Sequence, residues 1–290
     1  MAPLQLLADA PALFVTLAVL LGLIVGSFLN VVIHRLPLMM EREWRTQCAE
    51  LLGQSIPDSE QSTLNLWKPR SRCPRCGHLI GALENIPLLS YAAQGGRCAH
   101  CRAAIGIQYP LVEGLSGALA GIVAWKFGFG WPVAAALLFT WTLLAASAID
   151  FRCQLLPDDL TLPLLWLGLG AALFGLFADL RSAMIGAMAG YLSLWAVYQV
   201  FRLLTGKEGM GHGDFKLLAA LGAWTGWQYL ITIVLLSSLV GAIFGLALIL
   251  LGGRDRRVPM PFGPFLAAAG WIVLLWGEEI NRVYLRWLGF

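Results

Sequence analysis

Two aspartates stand where a carboxylate is hard to keep. Asp150 closes the apolar run Ala145-Ala146-Ser147-Ala148-Ile149-Asp150, and Asp214 opens another after Gly209-Met210-Gly211-His212-Gly213. An ionisable side chain at membrane depth is expensive, so each one calls for an explanation. Two carboxylates that meet in a partly dry site do not both ionise cheaply; they share a proton, so that one acts as general base and the other as general acid. That is the chemistry of peptide hydrolysis by an activated water. The glycines before Asp214 open backbone conformations closed to other residues and let an extended substrate strand come near. Taken singly, either residue also reads as an interfacial helix cap. Asp158 and Asp159, which follow Pro157, read as a turn or helix start. Glu113, just inside an apolar run in Tyr109-Pro110-Leu111-Val112-Glu113, reads as a carboxylate paired with a basic residue.

A second set of chemically capable residues is four thiols. Cys73-Pro74-Arg75-Cys76 and Cys98-Ala99-His100-Cys101 are separated by 21 residues. Each CxxC turn places two sulfurs on one side, and two turns complete the tetrahedron that zinc accepts. The competing readings are disulfides or redox thiols. A cytoplasmic location argues against the first, and the absence of a βαβ pattern argues against the second. Four thiolates leave no open position for water, so the metal is expected to be structural, supplying folding energy to a segment with little core of its own. Cys48 and Cys153 have no partner in the pattern and read as ordinary cysteines, Cys153 lying close to Asp150.

The elements that hold these groups are apolar helices. Of the 290 residues, 58% are hydrophobic and only 13% charged, and the mean hydropathy of +0.72 lies outside the globular range. A bilayer crossing takes about 20 apolar residues, and about eight such runs are legible: 11–33, 109–127, 131–149, 155–177, 183–204, 215–226, 229–251 and 262–279. They are apolar on all sides, unlike the alternating strands of a membrane barrel. The sixth is short and carries Gly222, Trp224 and Gly226, which marks a broken or partly buried crossing. The expected fold is thus an all-α polytopic membrane protein of about eight transmembrane helices, organised as a first span (1–33), a polar cytoplasmic insertion with the zinc site (34–108) and a bundle carrying both aspartates (109–290). Within the insertion, residues 41–64 read as a short amphipathic helix and a flexible segment that includes Gln54-Ser55-Ile56-Pro57-Asp58. No basic n-region or small-residue cleavage site accompanies the first run, which reads as a permanent span.

Orientation follows the basic residues. With the insertion cytoplasmic, sixteen of the twenty Lys and Arg fall on that side, among them Arg152, Lys207, Arg254, Arg256 and Arg257 of the short loops; Lys126, Arg181, Arg282 and Arg286 fall opposite. Both aspartates then lie near the cytoplasmic face. A net charge of +3 without a basic, aromatic-laced stripe leaves nucleic acid out of account. The basic residues suit membrane lipids and topology.

Together these features resemble the bacterial type IV prepilin peptidases, the leader peptidase/N-methyltransferase enzymes of the GxGD aspartyl protease class. The likeness covers nearly the whole chain. It rests on Gly26-Ser27-Phe28-Leu29-Asn30-Val31, the paired CxxC, Tyr109-Pro110-Leu111-Val112-Glu113, Lys207-Glu208-Gly209-Met210-Gly211-His212-Gly213-Asp214 and Pro261-Phe262-Gly263-Pro264. The resemblance implies an enzyme of the bacterial inner membrane with two activities. It cuts the basic leader from prepilins and type II secretion pseudopilins after a glycine, then methylates the new N-terminal residue, usually Phe, with S-adenosylmethionine. It also implies Asp150 and Asp214 as the catalytic pair, with Lys216 an electrostatic neighbour. No Rossmann-type glycine motif offers a site for S-adenosylmethionine; Gly95-Gly96-Arg97 beside Cys98 is the strip proposed for it, with a structural turn as the other reading. The rival classes are a peptidase without methyl transfer, a non-catalytic assembly scaffold and an ion-coupled transporter. The transporter would favour an inverted repeat, and none is visible.

Overall fold

The computed structural model describes residues 9–53, 64–207, 209–252 and 260–287. The segment at Gln54–Asp58, Glu208, and Arg254, Arg256 and Arg257 lie outside them. The chain divides into two compact units, Met1–Phe129 and Gly130–Phe290.

In the first unit, α1 (Pro11–Leu51) starts with proline in its first turn, where the missing N–H has no helical partner to lose. At 41 residues it is roughly 60 Å long, about twice the hydrocarbon thickness. The expected separate amphipathic helix is therefore its continuation. Pro37 does not stop it, and beyond Pro37 the surface turns polar, with Arg45 donating to Glu41 one turn earlier at 2.6 Å. A five-residue α2 (Leu89–Ala93) precedes α3 (Gln108–Phe127). Helices α1 and α3 run antiparallel in close contact because small residues line both faces. A Cβ on Gly22 would lie 2.6 Å from the Ser116 carbonyl oxygen, one on Gly26 2.8 Å from Glu113 Cα, and one on Gly121 2.8 Å from Val19. In lipid, where apolar surface gains little from association, such close backbone approach and the Ser116 hydroxyl bond to the Gly22 carbonyl are what hold helices together.

The second unit is built around a short helix. Its elements are α4 (Trp131–Cys153), α5 (Asp158–Leu173), α6 (Leu180–Thr205), α7 (His212–Thr225), α8 (Leu230–Gly252) and α9 (Gly263–Trp287), the last kinked at Trp276. Helix α7 has 14 residues, roughly 21 Å, and Leu217–Thr225 are buried without exception. Such a helix has to be jacketed by protein, as its glycines and length suggested. Gly186 of α6 meets Gly222 of α7 backbone to backbone, so that a side chain on either would overlap the other's main chain. Gly168 of α5 leaves room for Trp224, whose indole donates to the Leu164 carbonyl at 2.8 Å. Phe139 and Phe177 pack around the same ring.

Each of the eight expected apolar runs overlaps one of the helices α1 and α3–α9, but the run at 155–177 is helical only over Asp158–Leu173. Among the described residues, four stretches are long and apolar enough to cross a membrane: α1, α4, α6 and Trp227–Leu250. No strand occurs among them, only two isolated bridges in the cysteine segment.

Candidate active site and metal centre

Asp150 sits in the last turn of α4 and Asp214 in the first turn of α7, both inside the second unit, with 5% and 8% of their surface exposed. Gly211 caps α7 in extended conformation, which puts Asp214 in the first turn, where unpaired amides and the helix dipole favour a carboxylate. Asp150 would face the wrong end of its own helix, but the Gly263 N–H at the start of α9 donates to it. Each carboxylate thus borrows a helix N-terminus. The two are close enough that the Asp150 charge acts on Asp214.

Leu156 and two glycines fix this spacing. A Cβ on Gly213 would lie 2.7 Å from Leu156 Cβ, and one on Gly263 2.6 Å from Asp150 Oδ2 and 3.0 Å from a Leu156 methyl. Leu156 is wedged between both glycines and brings the two segments to one place. Gly211, by contrast, faces open space within 4 Å. His212 is directed into an aromatic cluster with Tyr198 and Phe215, 5.3 Å from each ring. Asp158 opens α5 as expected, and Lys216 donates to both its oxygens at 2.6 and 2.7 Å, tying α5 to α7 one turn from the candidate dyad. The chemistry open to such a pair is proton exchange with a water placed between them.

In the first unit the four cysteines come together, every Sγ within 4.8 Å of the others. Cys73 and Cys101 are 3.8 Å apart, the edge of a tetrahedron with metal–sulfur bonds of about 2.3 Å. The two knuckles repeat one design. Cys73 accepts from the Gly77 N–H and Cys98 from the Arg102 N–H, through their carbonyls at 2.9 and 3.0 Å. The residue four after the first cysteine has positive φ in both, Gly77 at 72° and Arg102 at 58°. His78 and His100 stack at 5.5 Å, and His78 shares a hydrogen bond with Glu84, whose carboxyl is held below its usual range by the Gly81 N–H and then by His78. Amides of Cys76 and Arg75 draw the Cys73 thiol down to about 6. For Cys76 the His78 amide acts the same way, but desolvation and the neighbouring sulfurs outweigh it and push the thiol up to about 12. So uneven a set of sulfurs is what a cation among them would level. Gly95 and Gly96, at φ 62° and 69°, carry the end of α2 into the second knuckle. Their amides donate to the Ala92 and Tyr91 carbonyls, a turn's ordinary work.

A second buried polar cluster joins α1 to α3. Glu113 accepts from the Leu88 N–H at 2.9 Å and from the Ser27 hydroxyl, so its partners are neutral rather than the basic residue expected. One turn away, Asn30 donates to the Tyr109 carbonyl at 3.1 Å, and its Oδ1, buried, has no hydrogen-bond partner among the described residues. Such an acceptor costs about 1–3 kcal/mol. Leu88 lies at φ 59°, the centre of a tight turn closed by the Leu89 N–H on the Pro87 carbonyl at 2.6 Å. A non-glycine residue there stores strain. Sequence reasoning missed the Gly263 amide, Leu156, Asn30 and Ser27 as site residues. Ser27 and Asn30 lie in the marked stretch Gly26-Ser27-Phe28-Leu29-Asn30-Val31 and Gly263 in Pro261-Phe262-Gly263-Pro264, where proline after glycine marks a helix start; Leu156 carried no signal.

Comparison with known proteins agrees with this layout. The family profile described as the bacterial peptidase A24 N-terminal domain matches residues 20–127, and that of the type IV leader peptidase family matches residues 137–246. A Pseudomonas aeruginosa protein named prepilin leader peptidase/N-methyltransferase is 60% identical over 287 residues, 99% of each chain. Proteins of the same name from Stutzerimonas stutzeri and Aeromonas salmonicida are 56% and 57% identical over 99% and 97% of each chain. No solved structure matches the chain.

Proposed function

We propose that this chain, which belongs to the type IV leader peptidase family, is a membrane enzyme that removes the leader of type IV prepilins and type II secretion pseudopilins and then N-methylates the exposed residue with S-adenosylmethionine. The observation that carries the peptidase reading is the convergence of Asp150 and Asp214 in one buried place, each at a helix N-terminus. In this reading one carboxylate takes a proton from water as it attacks the scissile carbonyl, and the other gives a proton to the departing amide nitrogen. The open face at Gly211 leaves room for an extended strand.

The excess of Lys and Arg on one side supports placement in the bacterial inner membrane with the dyad near the cytoplasmic face. A basic leader held in the cytoplasm ahead of an apolar helix would then present its cut site at the depth of the aspartates. Cys73, Cys76, Cys98 and Cys101 hold a structural zinc in the insertion at 34–108; the tetrahedral edge supports it. S-adenosylmethionine supplies the methyl group as a sulfonium. The strip Gly95-Gly96-Arg97 stays its proposed place, while the acceptor-only cluster at Asn30 and Glu113 suits a cationic group.

The test is an intact-mass assay of the detergent-purified protein with a prepilin and labelled S-adenosylmethionine. Wild type is expected to show leader loss and a methyl gain. Asp150→Asn and Asp214→Asn are expected to keep zinc and lose cleavage entirely. Variants that still cleave would make the carboxylates structural.

A further inference from the structure

Resting on the two-activity reading above, the remaining question is where the nitrogen is methylated. Leader removal exposes an α-ammonium, and methyl transfer needs the lone pair that its proton occupies. Two stretches marked in the sequence were not used in the hydrolysis argued above: 26–31 in α1 and 109–113 in α3. The fold brings them together. Ser27 and Asn30, one turn apart on α1, face Glu113 and Tyr109, one turn apart on α3, as two neighbouring rungs.

We propose that Glu113, with the Asn30 carboxamide oxygen, is the site in the first unit that binds the pilin's new α-ammonium and takes its proton for methyl transfer. Three observations point to an N–H cation as the ligand. First, an ionised carboxylate accepts about four hydrogen bonds, and among the described residues Glu113 receives two, both from neutral donors. Second, because the Asn30 amide nitrogen is committed to the Tyr109 carbonyl, its Oδ1 is turned elsewhere, more than nine-tenths buried and unpartnered. Third, Glu113 holds the amide of Leu88 in a backbone conformation that leucine rarely adopts, and strain of that kind gathers at ligand sites. The same Leu88 leads through α2 straight to Gly95 and Gly96.

The step balances as follows. The ammonium gives one proton to the Glu113 carboxylate. The freed nitrogen pair forms a bond to the methyl carbon, and the carbon–sulfur bond breaks with its electrons left on sulfur, so that the sulfonium becomes a thioether. The product is a methylated ammonium, and Glu113 releases its proton to solvent before the next turnover.

The experiment uses the full-length protein with Glu113→Gln, Glu113→Asp and Asn30→Ala. Cleavage of prepilin, methylation of a pre-cut pilin and zinc content are read on each. Binding is read with a mature-pilin peptide that starts with Phe, carried either with a free α-amine or N-acetylated. Wild type is expected to bind the free amine at least tenfold more tightly. Glu113→Gln is expected to cut within about threefold of wild type, keep zinc, methylate at least 100-fold more slowly and lose that preference. Glu113→Asp should recover part of both, and Asn30→Ala should weaken both by a smaller factor. Undiminished methylation in Glu113→Gln, retained preference for the free amine, or loss of cutting together with methylation would each overturn the proposal. If wild type cuts but never methylates, the two-activity reading falls and this inference with it; if wild type methylates and Glu113→Gln does so equally, this inference falls alone.

Discussion

Replacing Gly263 with alanine tests the geometry of the dyad more sharply than removing a carboxylate does. Gly263 does not have the positive φ that would bar an alanine, so the change acts only through the added methyl. That carbon would stand 2.6 Å from Asp150 Oδ2, against 3.4 Å or more for ordinary contact, so the carboxylate has to retreat by roughly 0.8 Å. Leu156 blocks the other direction, with methyls 3.0 and 3.2 Å from the same point. The Gly263 N–H survives the substitution, so its hydrogen bond stretches rather than disappears. A misplacement near 1 Å costs about 100-fold in rate, which is about 2.7 kcal/mol of transition-state stabilisation. The assay is leader cleavage at sub-saturating prepilin, read by intact mass beside Gly241→Ala. A Cβ at Gly241 meets only the Phe265 ring at 3.4 Å and touches no carboxylate. Zinc content and methylation of pre-cut pilin serve as folding controls and are expected to hold. If Gly263→Ala cuts within threefold of wild type, the contact between α9 and Asp150 does not set the catalytic geometry, and the mechanism argued from it is wrong.

Other consequences can be checked in the same system. Gly213→Ala meets Leu156 at 2.7 Å whereas Gly211→Ala meets nothing within 4 Å; the first should lose stability and cleavage together, and the second should keep its melting temperature. Cys73→Ser should lower zinc from one per chain to none by metal analysis, and Gly77→Val, at φ 72°, should weaken zinc binding while Arg102→Gly, at φ 58°, strengthens it. Retained zinc in Cys73→Ser would dismiss the four-thiolate centre. Gly222→Ala should destabilise the second unit by about 1–3 kcal/mol or more in detergent melts, because Gly186 offers only backbone to push against. The Lys216–Asp158 pair is partly exposed, 29% and 52%, so Lys216→Met should cost no more than about 1 kcal/mol. A larger loss would mean that the bridge holds α7 in place.

The side chains that could do chemistry were legible because they are rare in their surroundings. A carboxylate at the edge of an apolar run also reads as a helix cap, so the signal lay in the pair rather than in either residue, and paired CxxC turns have one dominant ligand. The short sixth run was legible for a related reason: Gly222, Trp224 and Gly226 do not suit a lipid-facing crossing, and they proved to lie at the buried C-terminal end of α7. Helix α1 ran past its expected end at residue 33 because that end was set by the loss of apolar residues, yet Pro37 removes only a single helical bond and the polar residues beyond it are good helix formers.

Part of what stayed hidden has a common physical cause. Sequence displays side chains, and two of the missed contacts, those of the Gly263 and Leu88 amides, are made by main-chain atoms. The Gly263 amide that satisfies Asp150 belongs to a residue with no functional group, and its role exists only once α9 starts beside the end of α4. Glu113 illustrates the same blindness from the other side: a buried carboxylate reads as half of an ion pair because charged side chains are the only partners a sequence shows. Its actual donors are a backbone amide in a strained turn and a hydroxyl. A carboxylate whose donors are neutral has no cation bound already and is free to take one that arrives from outside, whereas one already paired with lysine or arginine is not. The substitution of amide for ammonium is therefore what leaves α1 and α3 able to act on a substrate, and it gives Glu113 a use that a structural ion pair would have foreclosed.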